Sequence, residues 1–150
     1  MKRFRFRLER VLGLKKRAEK AARLELGRAL SAVNAAQARL RESERACALL
    51  EEEEVRLSAE GRIGALPLQG ALLSYARAFL ERAREEAAAA ERELEAARQG
   101  WREAKKEARS LELLRERAYR AWQEKTWKEE ARELDEIGRL RFLAGRFEEP

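Results

Sequence analysis

From residue 73 to residue 122, small and apolar side chains return alternately every three and every four positions. The series is Leu73, Ala76, Leu80, Ala83, Ala87, Ala90, Leu94, Ala97, Trp101, Ala104, Ala108, Leu111, Arg115, Ala118 and Trp122. Fourteen of these fifteen positions are apolar, and the residues between them are mostly Glu, Arg and Lys. A mean repeat of 3.5 residues belongs to a helix that keeps one stripe against a partner by left-handed supercoiling. An upstream segment repeats it with Ala22, Leu26, Ala29, Val33, Ala36, Leu40, Ser43, Cys47, Leu50, Glu54 and Leu57. Leu8 and Leu12 continue that register towards the N-terminus, but Lys15 and Glu19 do not. Val11, Leu14 and Ala18 therefore predict a slightly rotated stripe there, with a local change in supercoil.

The two periodic segments are separated by Ser58–Gly70, where three glycines and one proline fall within 13 residues. Gly61 is placed to end a helix in the left-handed conformation, and Pro67 opposes helical backbone at residue 66. The expected elements are a helix over about 6–58, a turn over 59–69 and a second helix over about 70–145, within a single domain spanning 1–150. So short a connection forces an antiparallel return. The fold class is thus all-α, an antiparallel coiled-coil hairpin whose second helix is longer and overhangs. With the turn centred near residue 64, residues whose numbers sum to about 129 should face each other, placing Met1 opposite Lys128. The second helix should approach a length of about 110 Å. Beyond Lys128 it keeps an apolar stripe (from Trp127 through Ala131, Leu134, Ile137 and Leu140 to Phe142) with no intramolecular partner. Such a stripe is a candidate docking surface.

Composition narrows the function classes. Ala, Leu, Glu, Lys and Arg make up 111 of 150 residues, the signature of long helices rather than of a layered globule. There is no histidine, and Cys47 is the only cysteine, so imidazole bases, Cys-His nucleophiles, His/Cys zinc sites and an intrachain disulfide are all excluded. No catalytic residue, cofactor or metal site is expected. Cys47 falls on the seam and reads as a small buried hydrophobe; Trp101 and Trp122 are seam residues too. No apolar run is long enough to span a membrane. No secretory signal is read in the basic N-terminus, so a cytoplasmic location is expected. Charge is concentrated: residues 1–28 carry net +8 and the remainder net −2. Phe4 and Phe6 alternate with arginines, where they can stack bases or staple the first helix to the second near Trp122 and Trp127.

Three stretches in order resemble the FliJ family of the bacterial flagellar type III export apparatus. They are Phe4-Arg-Phe-Arg-Leu-Glu-Arg-Val-Leu12 with Lys15–Glu19; Tyr75, Phe79 and Trp101–Lys106; and Leu111–Ala118 with Glu129–Arg139. The resemblance implies a non-catalytic two-helix stalk, similar to the central stalk of rotary ATPases. Its implied partners are the hexameric export ATPase, the export gate and export chaperones. Its implied location is cytoplasmic, peripheral at the inner face of the cell membrane at the flagellar base, held there through partners. On that reading Leu72, Tyr75 and Phe79 contact the gate near the turn. Arg3, Arg5, Arg7 and Arg10, with Trp127, Leu134, Ile137 and Arg141, meet the ATPase ring at the open end. Competing readings are a stalk of a rotary ATPase, a needle-type secretion stalk and a basic nucleic-acid-binding coiled coil. The 13-residue turn leaves no room for the extra domain of most rotary stalks, and the 25 acids after residue 28 oppose phosphate binding, so no nucleic acid is expected.

Overall fold

The structure, a computed structural model, describes residues 3–147. Helix α1 spans Glu9–Ala59, a single 3₁₀ turn follows at Ile63–Ala65, and helix α2 spans Leu66–Phe147. Together they take up 136 of the 145 described residues. The two helices run antiparallel, the second longer by 31 residues. The chain divides into two compact units, Met1–Arg17 with Lys105–Pro150, and Ala18–Ala104.

In the unit 18–104 the predicted seam is the observed one. Every seam position from Ala22 to Leu57 and from Leu73 to Ala104 is buried or half-buried, with Val33, Ala36, Cys47, Leu57, Leu73, Ala83, Ala87 and Leu94 forming the core. Alanine knobs let the backbones approach closely but each removes little area from water, so length has to supply the stabilisation. Gln69 is buried and donates from Nε2 to the Leu50 carbonyl at 2.8 Å, which satisfies it and ties the start of α2 to a fixed level of α1. The ion pairs between helices here are Arg39–Glu86 at 3.7 Å and Glu51–Arg77 at 3.5 Å. Both are solvent-exposed, contributing tenths of a kcal/mol and chiefly selecting register.

The turn departs from the expectation at its second end. At the first end, Gly61 has φ +74°, its N–H donates to the Ser58 carbonyl, and the Arg62 N–H donates to Leu57. That is a Schellman closure, as the position of the glycine predicts. At the other end α2 starts at Leu66 rather than near 70. Pro67 opens the helix instead of blocking it, because a first-turn residue has no use for the N–H that proline lacks. Gly61→Ala should cost about 1 kcal/mol through the left-handed backbone, lowering the thermal midpoint by a few degrees; a melt followed by circular dichroism measures it.

In the unit containing the chain ends, α1 begins at Glu9, not near residue 6. Phe4 and Phe6 are half-buried while Arg3 and Arg5 are exposed, the two-residue alternation of a strap, and at Arg7 and the half-buried Leu8 the chain turns into α1. The rotated stripe is absent as well. Leu12 is buried, and Lys15 and Glu19 are half-buried, whereas Val11 and Leu14 face solvent and Ala18 is exposed. The original register therefore continues through the two charged positions. Lys15 makes this possible by reaching Glu107 at 2.6 Å, its aliphatic stem covering the seam while the ammonium stays wet.

Paired residues in the two units correct the facing rule. Glu9–Arg115, Lys15–Glu107, Lys16–Glu112, Arg39–Glu86 and Glu51–Arg77 give sums between 122 and 128, not 129. The cause is the early start of α2, which moves the turn centre from residue 64 to between 62 and 63. The predicted pairing of Met1 with Lys128 lies outside the described residues.

Candidate docking surfaces

Near the turn, Leu72, Tyr75 and Phe79 are all exposed, Tyr75 by 71%. At steps of three and four they form one stripe beside the buried seam residue Leu73 and the half-buried Ala76 and Leu80. Leu68, one turn earlier and also exposed, extends the stripe; it went unnoticed in the sequence because residues 59–69 read as loop. Phe79 lines a shallow groove with Arg82, Ala83 and Glu86 of α2 and Arg39, Glu42 and Ser43 of α1. The Arg82 guanidinium lies 5.8 Å from the Phe79 ring centre, holding the ring by a cation–π contact while leaving most of it wet. Leu49 stands two helical turns beyond Glu42, on the same side of α1, and is 66% exposed. Leu49, Leu68, Leu72, Tyr75 and Phe79 thus make an apolar, aromatic-centred patch of the composition from which protein interfaces draw their anchors. Ala83, small and buried, belongs to the seam.

At the chain ends, Arg3, Arg5, Arg7 and Arg10 are all exposed. The first three stand on the strap whose inward side chains hold it down. Phe4 packs edge-on to Tyr119 at 5.2 Å and lies 5.8 Å from Trp122, and Tyr119 stacks on Trp122 at 5.8 Å. Arg115, the one charged residue of the α2 seam, ties the cluster together. Its Nε donates to Glu9 at 3.0 Å and its guanidinium sits 5.7 Å from the Phe4 ring centre. Phe4 is thus a staple onto Trp122 and Tyr119, and its ring is engaged rather than displayed. Trp127 takes no part in that cluster and is 70% exposed. Leu134, Ile137 and Arg141 are exposed on the same helix further on, so the ring-facing residues read from the sequence fall into two groups, a strap of arginines and an apolar stripe on α2.

Both surfaces are convex or shallow, and their charged groups are solvated. Among the described residues no cluster of acids and cysteine is arranged to hold a metal ion, and no helix is long and apolar enough to cross a membrane.

Comparison with known proteins places this geometry. None of the curated proteins compared matches the chain. Among solved structures, CT670 of Chlamydia trachomatis, described as a YscO homolog, is similar with a TM-score of 0.79 at 20% identity, over 98% of this chain and 100% of that one. The likeness is one of fold. The family described as flagellar FliJ protein matches residues 4–146, from the strap to the last turn of α2. With its hairpin fold and a match over nearly all its length, the chain belongs to the FliJ family of flagellar export proteins.

Proposed function

We propose that this chain is the non-catalytic stalk of a flagellar export apparatus, binding the hexameric export ATPase by its open end and the export gate by the patch near its turn. It works at the inner face of the cell membrane, held there by those partners, and receives export chaperones. The observation that carries the reading is the segregation of unlike surfaces on one hairpin. An aromatic patch lies in the unit that contains the turn; exposed arginines and an unpaired apolar stripe lie in the unit that contains the ends. A linker between two machines needs two such surfaces and no pocket. The gate surface is Leu72, Tyr75 and Phe79, extended here by Leu68 and Leu49. The ring surface is Arg3, Arg5, Arg7 and Arg10 with Trp127, Leu134, Ile137 and Arg141.

Charge supports the placement of the ring surface. The described residues of the unit with the chain ends carry net +9, and those of the unit 18–104 net −2. An acidic ring lumen would be approached faster by the basic unit, in a salt-dependent way. The same distribution keeps a needle-type stalk as the alternative, since it would use the same hairpin.

The test is a pair of pull-downs with purified export ATPase and the soluble domain of the gate. Tyr75→Ala with Phe79→Ala should weaken gate binding at least tenfold, as loss of two aromatic anchors does at an interface centre, and leave ATPase binding unchanged. Equal loss of both partners, with the far-ultraviolet spectrum intact, overturns the assignment of the patch.

A further inference from the structure

The described contacts between the N-terminal strap and α2 reach as far as Trp122, where Phe4 packs. Continuing the α1-facing seam past Trp122 by threes and fours gives five charged residues, Lys125, Glu129, Arg132, Glu136 and Arg139, before Leu143. Apart from Leu143, the exposed apolar residues of this stretch lie elsewhere on the helix. Trp127, Leu134, Ile137 and Ala144 follow a heptad spacing of their own, with Leu140 and Phe147 beside them, and the five large ones are 47–88% exposed. Ala131, Gly138 and Gly145 border the stripe at steps of seven. A Cβ added at Gly138 or Gly145 would meet nothing within 4 Å, so the groove beside the stripe is open to another helix. The stripe therefore faces a partner other than α1.

The charges along this segment are polar in the sense of direction. Residues 127–136 carry Glu129, Glu130, Glu133, Asp135 and Glu136 against Lys128 and Arg132, net −3. Residues 139–147 carry Arg139, Arg141 and Arg146 and no acid, net +3. A helix that is acidic on one side of Gly138 and basic on the other is complementary to itself when reversed. Parallel pairing would set acid beside acid and arginine beside arginine.

We propose that two copies of this chain associate through residues 127–147, antiparallel about a two-fold axis close to Gly138. The apolar stripes face each other, the small residues at 131, 138 and 145 permit close approach, and each acidic half lies along the partner's basic half. A two-fold contact of this kind is isologous, so one surface serves both copies and the assembly closes at a dimer. The segment is short and its ion pairs exposed, so the association is weak, with a Kd of roughly 10–100 µM. Self-association occupies Trp127, Leu134, Ile137 and Arg141, and so competes with any other partner of that face. It does not depend on the ring being that partner.

Sedimentation equilibrium of the full chain, from about 1 µM to about 1 mM, tests it with two triple variants. One is Glu133→Lys, Asp135→Lys and Glu136→Lys; the other is Arg139→Glu, Arg141→Glu and Arg146→Glu. Circular dichroism confirms that each is folded. The wild type should dimerise, more weakly as salt is raised. Each variant alone should self-associate at least tenfold more weakly, because both halves then carry one sign. Their equimolar mixture should recover a mixed dimer of wild-type affinity or better. A wild type that stays monomeric throughout, variants that dimerise like it, or a mixture that stays monomeric overturns the proposal. No ATPase enters the measurement, so its outcome is independent of the ring assignment.

Discussion

Leu94→Asp should lower the thermal midpoint of the hairpin by roughly 10 °C or more, the expected result of a loss of about 3–5 kcal/mol. Leu94 is one of the few full-sized side chains in the core of the unit 18–104, at 7% exposure, and its seam neighbours are Ala87, Ala90 and Ala97. In so alanine-rich a seam each leucine supplies a large share of the apolar area, and no adjacent bulk can close over its loss. The carboxylate adds a second cost. It must either stay charged against the facing helix or take up a proton, and both are unfavourable at neutral pH. Arg92→Glu, two residues away on the exposed side, should change stability by no more than about 0.5 kcal/mol. The two melts, run side by side, separate seam from surface. Equal effects, or none, would show that the 3.5-residue pattern is not what holds the helices together.

That pattern was legible because a coiled coil writes its contacts into the chain at fixed spacing. From Ala22 to Leu57 and from Leu73 to Trp122, each apolar position read as seam is buried or half-buried. The antiparallel return was equally legible, since Gly61 marks the end of α1 by a backbone conformation that few other residues adopt without strain. What was misread concerns places where a second rule overrode the periodic one. Pro67 reads as a stop, but a proline is ambiguous: it disfavours helix before it and favours the first turn of a new one. A start placed near residue 70 hides Leu68 from the patch near the turn and displaces the facing rule by about four residues.

The helical pattern of α1 read from the sequence extends to about residue 6, although Phe4-Arg-Phe-Arg-Leu8 alternates with a period of two. The cue was present, but so short a run next to a long helix loses to its neighbour's pattern. Polarity alone makes Lys15 and Glu19 look unfit for the seam. In the folded unit the seam is narrow enough for a lysine stem to bridge it, with Glu107 available to receive the ammonium. Glu107 lies 92 residues away. Such a partner becomes apparent only once the register between the helices is known, and the register in turn rests on where α2 begins. The docking residues illustrate the other limit. Sequence periodicity shows which side chains are left outside a seam, but not which of those gather into one patch; Leu49 joins Tyr75 and Phe79 only through the pairing of the two helices.

Removal of residues 128–150 should leave the hairpin folded while reducing its association with the export ATPase hexamer at least tenfold. The thermodynamic half of this expectation follows from where the contacts are. The aromatic staple of Phe4, Tyr119 and Trp122, the Glu9–Arg115 pair and the buried Leu12 and Ala108 all lie before the cut. The large side chains that are lost, Leu134, Ile137, Leu140, Phe142, Leu143 and Phe147, are exposed and contribute little to the fold. The thermal midpoint should therefore move by only a few degrees. The binding half follows from the same exposures. Half a dozen exposed apolar side chains on one helix are a larger anchor than the strap arginines, whose solvated charges act mainly on the rate of encounter. Arg5→Glu with Arg7→Glu should accordingly slow association and steepen no further with salt, while the truncation should shorten the lifetime of the complex. Surface-immobilised ATPase and a kinetic binding measurement distinguish the two. A truncated chain that melts like the full one and still holds the ring with undiminished lifetime would remove the stripe beyond residue 127 from the ring surface, and leave the strap, Arg10 and Trp127 as its remaining candidates.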